Sequence, residues 1–371
     1  MRRRDLFRSG AIATGARRRR GRRLVRAFAA AFLAALLALG VKAWQNRRDV
    51  VALGPFEAAV AAVVPGAPVA FRIADPYAVE GTWFKAQLHT HTVHSLDGGW
   101  PVEASLRAYR ERGYDFVALT DHDVITRPAG VPEGMVVVPA VENTVTFPFW
   151  PLGQHAVFLF VERQVTRGGA RERFRAAAEQ GGIVSIAHPS WVGNVGTGRW
   201  EMRHLMAAGE FTLMEVYNPH SDSRRDTALW HEVVVRRGPG EPVWAVAVDD
   251  AHDERLFDRG WTMVKAAAQT PAALAEALRR GSLYASTGPR VRFGASGGAI
   301  VVGGEEPGIY EVSFISSTMD VVKAYRGELP AAYTPTGTEG FVRVEVREAG
   351  TGASAWSQPF WLIPVETEVR P

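Results

Sequence analysis

The chain contains no cysteine. That absence removes disulfides, thiolate metal ligands and cysteine nucleophiles together, so any bound metal has to be held by His, Asp and Glu. It does not report a compartment, because exported proteins need not carry disulfides. Acidic residues are nearly missing from the first 48 positions, where Asp5 stands against fourteen Lys and Arg. The rest of the chain carries 29 basic and 38 acidic residues, so the formal charge of +4 conceals a strongly basic start and an acidic body. An acidic body lacks the basic stripe of a broad nucleic-acid footprint, and none is expected here. Hydrophobic residues make up 47% of the chain and charged residues 22%, which excludes a disordered protein.

Within residues 1–48 the arginine clusters are followed by Ala27–Val41, fifteen residues without a charge. As a helix this run is about 22 Å long, and flanking Leu24, Val25, Arg26 and Lys42 extend its reach toward a membrane span. Basic residues before it predict a cytoplasmic N-terminus and an exported body. "RRRDLF" also resembles a twin-arginine export signal, although "RRRRGRR" interrupts the apolar continuation. The expectation is an uncleaved membrane anchor with an extracytoplasmic catalytic body, the alternative being secretion after signal cleavage. Residues 49–84 read as a Pro/Gly-punctuated connector.

From Lys85 onward, short apolar runs alternate with helical patterns, the signature of parallel strands joined by helices. The runs are "KAQLH" (85–89), "DFVALT" (115–120), "MVVVPA" (135–140), "HAVFLFV" (155–161), "GIVSIAH" (182–188), "FTLMEVYN" (211–218) and "PVWAVAVDD" (242–250). Helix-like segments lie between them, and "TPAALAEALRRG" has Thr270 placed as cap and Pro271 at the first helical position. Seven strands in this alternation predict an α/β fold, a distorted seven-stranded β/α barrel over residues 85–289. An open doubly wound sheet is the alternative. Residues 290–371 are turn-rich with no helical pattern and read as a small appended β-sandwich.

Six of the ten histidines fall at the ends of these strands. His89 and His91 close the first run, two apart and so on the same side of an extended chain. His122 follows the second run, Glu142 the third and His188 ends the fifth, while Asp250 and His252 follow the seventh. His155 begins its run, but a hairpin over 143–161 returns it to the same end. In a β/α barrel the carboxyl ends of the strands share one mouth, so these eight residues converge there. Imidazole and carboxylate together suit zinc, manganese or iron. Of the other histidines, His204 and His231 read as surface or helix-packing residues and His220 as a possible substrate contact. Trp100, Trp150 and Trp191 near the mouth read as loop anchors in preference to stacking surfaces.

In this order the motifs "HTH" (89–91), "TDHD" (120–123), "VE" (141–142), "GQH" ending at His155, "AHP" (187–189) and "DAH" (250–252) resemble the PHP (polymerase and histidinol phosphatase) family of metal-dependent phosphoesterases. The resemblance implies two or three divalent metal ions. It implies His89, His91, Glu142 and Asp250 around the first, and His155 and His188 around the second with Glu142 bridging. His122 and His252 would hold the third with a ligand from the loop after His91. There this chain departs from the family pattern, because Asp97 stands six positions past His91 where the family has five. His94 is the competing donor, and Asp97 is preferred because the following glycines suit a tight turn.

The function implied is hydrolysis of phosphate esters, mono- or diesters, by a metal-bridging hydroxide attacking phosphorus in line. Asp121 and Asp249, adjacent to ligands, are expected to orient ligand histidines from behind. Arg224 and Arg225 are candidate phosphate contacts beside His220. The substrate expected is a small phosphorylated molecule. A metal-dependent hydrolase of another bond, and a non-catalytic envelope module with a structural metal, are the alternatives.

Overall fold

The computed structural model describes residues 70–146, 153–193 and 196–365. All seven apolar runs fold as strands, and they appear in the sheet in chain order. After an initial strand β1 (Phe71–Ala74) come β2 (Thr82–Gln87), helix α1 (Val102–Glu111), β3 (Phe116–Leu119), β4 (Val136–Thr144) and β5 (His155–Leu159). Then follow α2 (Ala170–Ala178), β6 (Ile183–Ile186), α3 (Met202–Ala207), β7 (Leu213–Tyr217), α4 (Ser223–Arg237) and β8 (Trp244–Ala247). Strands β2, β3 and β4 are parallel, β5 runs against both β4 and β6, and β6, β7 and β8 are parallel again. Thr144 pairs with His155, so β4 and β5 form the hairpin that returns His155 to the mouth.

The two ends of this arc meet beyond β2 and β8. Thr90 and Ala251 form a parallel bridge, His91 N–H donates to Ala251 O at 3.0 Å, and Asp250 N–H donates to His89 O at 3.0 Å. Below that seam the barrel is pushed open by two strands that the sequence reading did not single out. β9 (Trp261–Ala266) runs antiparallel to β2, and after α5 (Pro271–Arg280) β10 (Leu283–Ser286) runs antiparallel to β9. Thr270 caps α5 by accepting from Ala273 N–H, with Pro271 at the first helical position. Alternate strand residues such as Ala86, Phe116, Ala118, Val138, Leu159 and Val246 form one apolar cluster with Leu274 and Leu278 of α5. The opposite strand faces pack under α2, α3 and α4 through Phe174, Leu205 and Trp230.

The C-terminal region holds β11 (Val291–Ser296), β12 (Ala299–Gly304), β13 (Tyr310–Ser316), β14 (Val321–Gly327), β15 (Ala331–Tyr333), β16 (Phe341–Glu348), β17 (Ser354–Trp356) and β18 (Phe360–Pro364). β11, β12 and β15 make a separate three-stranded sheet, and the others join the barrel sheet because β17 pairs with β10. Phe293, Ile300 and Val302 of the small sheet meet Phe314, Val344 and Phe360 of the large one in a shared core. Within the predicted connector, β1 pairs antiparallel with β18. Among the described residues no helix is long and apolar enough to cross a membrane. The apolar segment expected to do so lies outside them, as does Trp150.

Candidate metal centre

Four donor atoms meet at the seam between β2 and β8. His89 Nε2 and His91 Nε2 are 3.2 Å apart. Each lies 3.4 and 3.3 Å, respectively, from Glu142 Oε2, and 3.2 and 3.1 Å from Asp250 Oδ1. His89, His91 and Glu142 are spaced as ligands of one ion are, and Asp250 lies against the same two histidine nitrogens. Glu142 Oε2 and Asp250 Oδ1 are buried and accept no hydrogen bond. A buried carboxylate oxygen in that condition is costly unless a cation faces it, so these residues fit a metal ion.

Further donors surround this group. Glu142 Oε1 lies 3.0 Å from His155 Nδ1 and 2.9 Å from His188 Nε2, so the Glu142 carboxylate stands between two sets of histidines. His122 Nδ1 is 3.0 Å from Glu142 Oε2, while its Nε2 is 3.4 Å from Asp97 Oδ2. His252 Nε2 lies 3.3 Å from the same Asp97 oxygen. His91, Asp97, His122 and His252 thus form one group with metal-ligand spacing, and His122, Glu142 and His155 form another. The structure brings all nine predicted ligands together. His94 is exposed and belongs to neither group. The turn that carries Asp97 back to the cluster requires glycine, because a Cβ on Gly98 would fall 2.0 Å from the Thr92 carbonyl oxygen.

No protein-family model matches the chain, and no curated protein does. Among solved structures it is similar to a two-domain protein from Bacteroides vulgatus containing a predicted PHP-like metal-dependent phosphoesterase. That pair shares 14% identity over 80% of this chain and 100% of the other, with a TM-score of 0.44. It is also similar to PsfC from Pseudomonas syringae (14%, 53% and 87% covered, TM-score 0.38) and to a lesion-specific endonuclease from Pyrococcus furiosus (12%, 53% and 56%, TM-score 0.37). Its structural neighbours include PHP-like phosphoesterases. At these identities and scores, the functional reading rests on the side chains of the site itself.

What orients the ligands differs from expectation. Asp121 accepts from Thr92 N–H at 2.6 Å, from the Thr92 hydroxyl at 2.8 Å and from the Thr126 hydroxyl. Asp249 accepts from the N–H groups of Asp258, Arg259 and Gly260 and from the Tyr109 hydroxyl. Neither makes a hydrogen bond to a histidine ring; both fix the loops that carry ligands. The orienting role falls to residues that the sequence reading passed over. Glu215 of β7 takes His89 Nδ1 at 2.7 Å, and its other oxygen accepts from His188 N–H at 2.6 Å and Asn218 Nδ2 at 2.8 Å. Ser95 Oγ lies 2.8 Å from His91 Nδ1 and accepts from His122 N–H. Such contacts hold a ligand ring and set which nitrogen faces the ion. The one available signal was a lone acid, Glu215, inside the apolar run "FTLMEVYN".

His220 lies at the edge of the cluster, its Nε2 3.1 Å from Asp250 O and its ring 5.3 Å from that of His252. Arg224 and Arg225 start α4, where Asp222 caps the helix by accepting their backbone N–H groups. Arg225 Nε also pairs with Asp222 Oδ2 at 3.3 Å.

Charge crowding is visible in the titration of these groups. Burial pushes the Glu142 carboxyl up, but the facing His122, His89 and His155 outweigh it and hold it well below the usual range. Asp250 is depressed in the same way, burial being overcome by His89, His91 and His252. Burial depresses His122 and His252, yet the carboxylates beside them raise the two to about 10 and about 9. His188 and Asp250 also hold positive φ angles, 27° and 46°, uncommon for residues with a Cβ and concentrated at this mouth.

Proposed function

We propose that the chain is a metal-dependent hydrolase of phosphate esters, working on a small phosphorylated substrate outside the cytoplasm. The observation that supports it best is the sharing of ligands. Glu142 faces both His89–His91 and His155–His188, and His122 faces both Glu142 and Asp97, so adjacent metal positions have donors in common. A structural site is closed by its own four ligands, whereas ions placed side by side with shared ligands suit displacement at phosphorus. Two or three divalent ions, zinc, manganese or iron, fit the nitrogen and oxygen donors. When bound they supply Lewis acidity toward the phosphoryl oxygens and acidify water.

The chain's own residues supply the geometry. Glu215 and Ser95 fix the His89 and His91 rings, Asp121 and Asp249 fix the loops, and the barrel seam brings Asp250 against both histidines. His220 stands where an ester oxygen on the Asp250–His252 side would lie. Arg224, exposed at the start of the same loop–helix unit, is the proposed contact for a second phosphate oxygen. The acidic body favours a small ester over a long nucleic acid. The arginine-rich start with its apolar run is the proposed membrane anchor.

The test is elemental analysis of the purified full chain, with assays on an aryl phosphomonoester, an aryl phosphodiester and an aryl amide. Two or three metals per chain and chelator-sensitive release from a phosphoester support the proposal. Metal with amide cleavage alone reassigns the bond, and absence of metal under replete conditions overturns the site.

A further inference from the structure

Among the described residues β8 pairs with one strand, β7. Its even-numbered residues face that neighbour: Trp244 N–H donates to Thr212 O at 2.8 Å and Val248 N–H to Tyr217 O at 3.1 Å. The odd-numbered residues Ala245, Ala247 and Asp249 turn their N–H groups to the opposite edge. An open edge inside a barrel wall strands buried N–H and C=O groups away from water, which is costly. Here side chains take the place of a strand. Gln358, between β17 and β18, accepts from Ala245 N–H through Oε1 at 2.8 Å. Its Nε2 donates to Ala245 O at 2.8 Å and to Leu283 O of β10 at 3.2 Å. Thr262 of β9 donates its hydroxyl to Ala247 O at 3.0 Å and accepts from Ala247 N–H at 3.3 Å. Gln87 of β2 accepts from Asp249 N–H at 3.2 Å.

All three residues are fully buried and come from separate parts of the chain. They meet β8 at every second residue, the spacing at which a neighbouring strand would bond it. An amide suits the task, because it offers a donor and an acceptor to the C=O and N–H of one residue. The last contact of the row lies at the metal centre. Gln87 Oε1 also accepts from His89 N–H at 3.2 Å, and Gln87 Nε2 donates to Gly260 O at 3.1 Å. One carbonyl oxygen thus holds both His89 and the residue before Asp250. Asp250 itself has little freedom, with a φ of 46° and its N–H bound to His89 O. Where Asp250 Oδ1 meets His89 and His91, at 3.2 and 3.1 Å, therefore follows from where β8 stands against β2.

We propose that Gln358, Thr262 and Gln87 form a side-chain row that sets the position of β8 and through it of Asp250, so that the C-terminal strands help to complete the metal centre from behind. Gln358 and Thr262 are positioning residues, acting on the ion through β8. Gln358 does so from about 16 Å along the strand, the five residues from Ala245 to Asp250. The inference rests on the metal reading of the mouth and is independent of which bond is hydrolysed.

The experiment titrates cobalt(II) into the full chain against a competing chelator. It reads bound cobalt, its visible absorption and the denaturant midpoint of the metal-free protein. Thr262→Val removes the hydroxyl at nearly constant shape, Thr262→Ser keeps it, and Gln358→Leu removes the amide. In Thr262→Val and Gln358→Leu the affinity of one cobalt equivalent is expected to fall about ten- to a hundredfold, with a changed absorption band. Thr262→Ser is expected to keep the native affinity and band. A lower denaturant midpoint with native cobalt affinity and absorption in Thr262→Val shows a role in stability alone and overturns the proposal. An equal loss in Thr262→Ser overturns it too. Should Gln358→Leu fail to fold, the Thr262 pair decides. The expected cobalt pattern without turnover of any phosphoester leaves the row standing and removes the hydrolase reading instead. Native protein that binds no cobalt overturns both.

Discussion

The mouth of the barrel and the core of the C-terminal strands are built to opposite rules. At the mouth, Glu142, Asp250, His155 and His188 each bury a polar atom without a hydrogen bond, and two of these residues hold positive φ angles. In the C-terminal core, Phe314, Val344, Ile300 and Phe360 pack with almost no exposure, and the buried Tyr310 and Tyr284 hydroxyls are both hydrogen-bonded. One region leaves polar groups waiting for a cation, and the other satisfies its buried tyrosine hydroxyls within its own strands and turns. Stability is concentrated where the chemistry is absent, as expected when strain is tolerated only at a working site.

That contrast can be broken at several points. Glu142→Gln removes the shared carboxylate and should lower chelator-sensitive turnover on the order of a thousandfold, with metal lost in elemental analysis, because five histidines at the mouth face it. Phe314→Ala in the C-terminal core should cost about 3–5 kcal/mol in a denaturant titration, while the folded fraction keeps its full metal content. If it lost metal in proportion, the two regions would be coupled and the contrast false. Glu215→Gln tests whether a ligand-orienting carboxylate counts, with metal affinity expected to fall about ten- to a hundredfold and the fold unchanged.

The smallest effect sharpens the join between the regions. His231 of α4 sits in a buried contact, accepting from Arg343 Nε at 2.8 Å and donating to Ser317 O at 3.1 Å. Burial, with the Arg343 charge beside it, pushes its pKa down from 6.5 to about 4. The unfolded chain therefore takes up this proton first as pH falls. The contribution of His231 is whole above about 6.5 and is lost between there and 4, at about 1 kcal/mol per pH unit. The slope of stability against pH in that window should flatten in His231→Gln; an unchanged slope would show that other groups set it.

Much of this was readable from the chain. The seven strands announced themselves because each is a short apolar run, and the ligands because a polar residue directly after such a run has to sit at its end. Thr270, Pro271 and Gly281 marked α5 through local cap chemistry alone. What stayed hidden depends on partners far away in the chain. β1 looks like a connector because its partner, β18, lies almost three hundred residues later. β9 and β10 are strands through pairing with β2 and β17, which lie far from them in the chain and leave no local pattern. Asp121 and Asp249 sit beside ligands in sequence but spend their oxygens on backbone N–H groups and on Thr and Tyr hydroxyls. Glu215 hides within a run whose other residues are ordinary strand formers.

The pairing of Phe71 with Pro364 has a consequence for biogenesis. Synthesis delivers β1 almost three hundred residues before its partner, so at about 5–20 residues per second β1 waits many seconds for the strand it needs. Through that interval Phe71 and Ile73 travel on an unpaired edge, available to a chaperone or to another nascent copy. A ribosome stalled before β18 would release a chain with all nine candidate ligands and an open edge, and such a product is expected to aggregate before it binds metal.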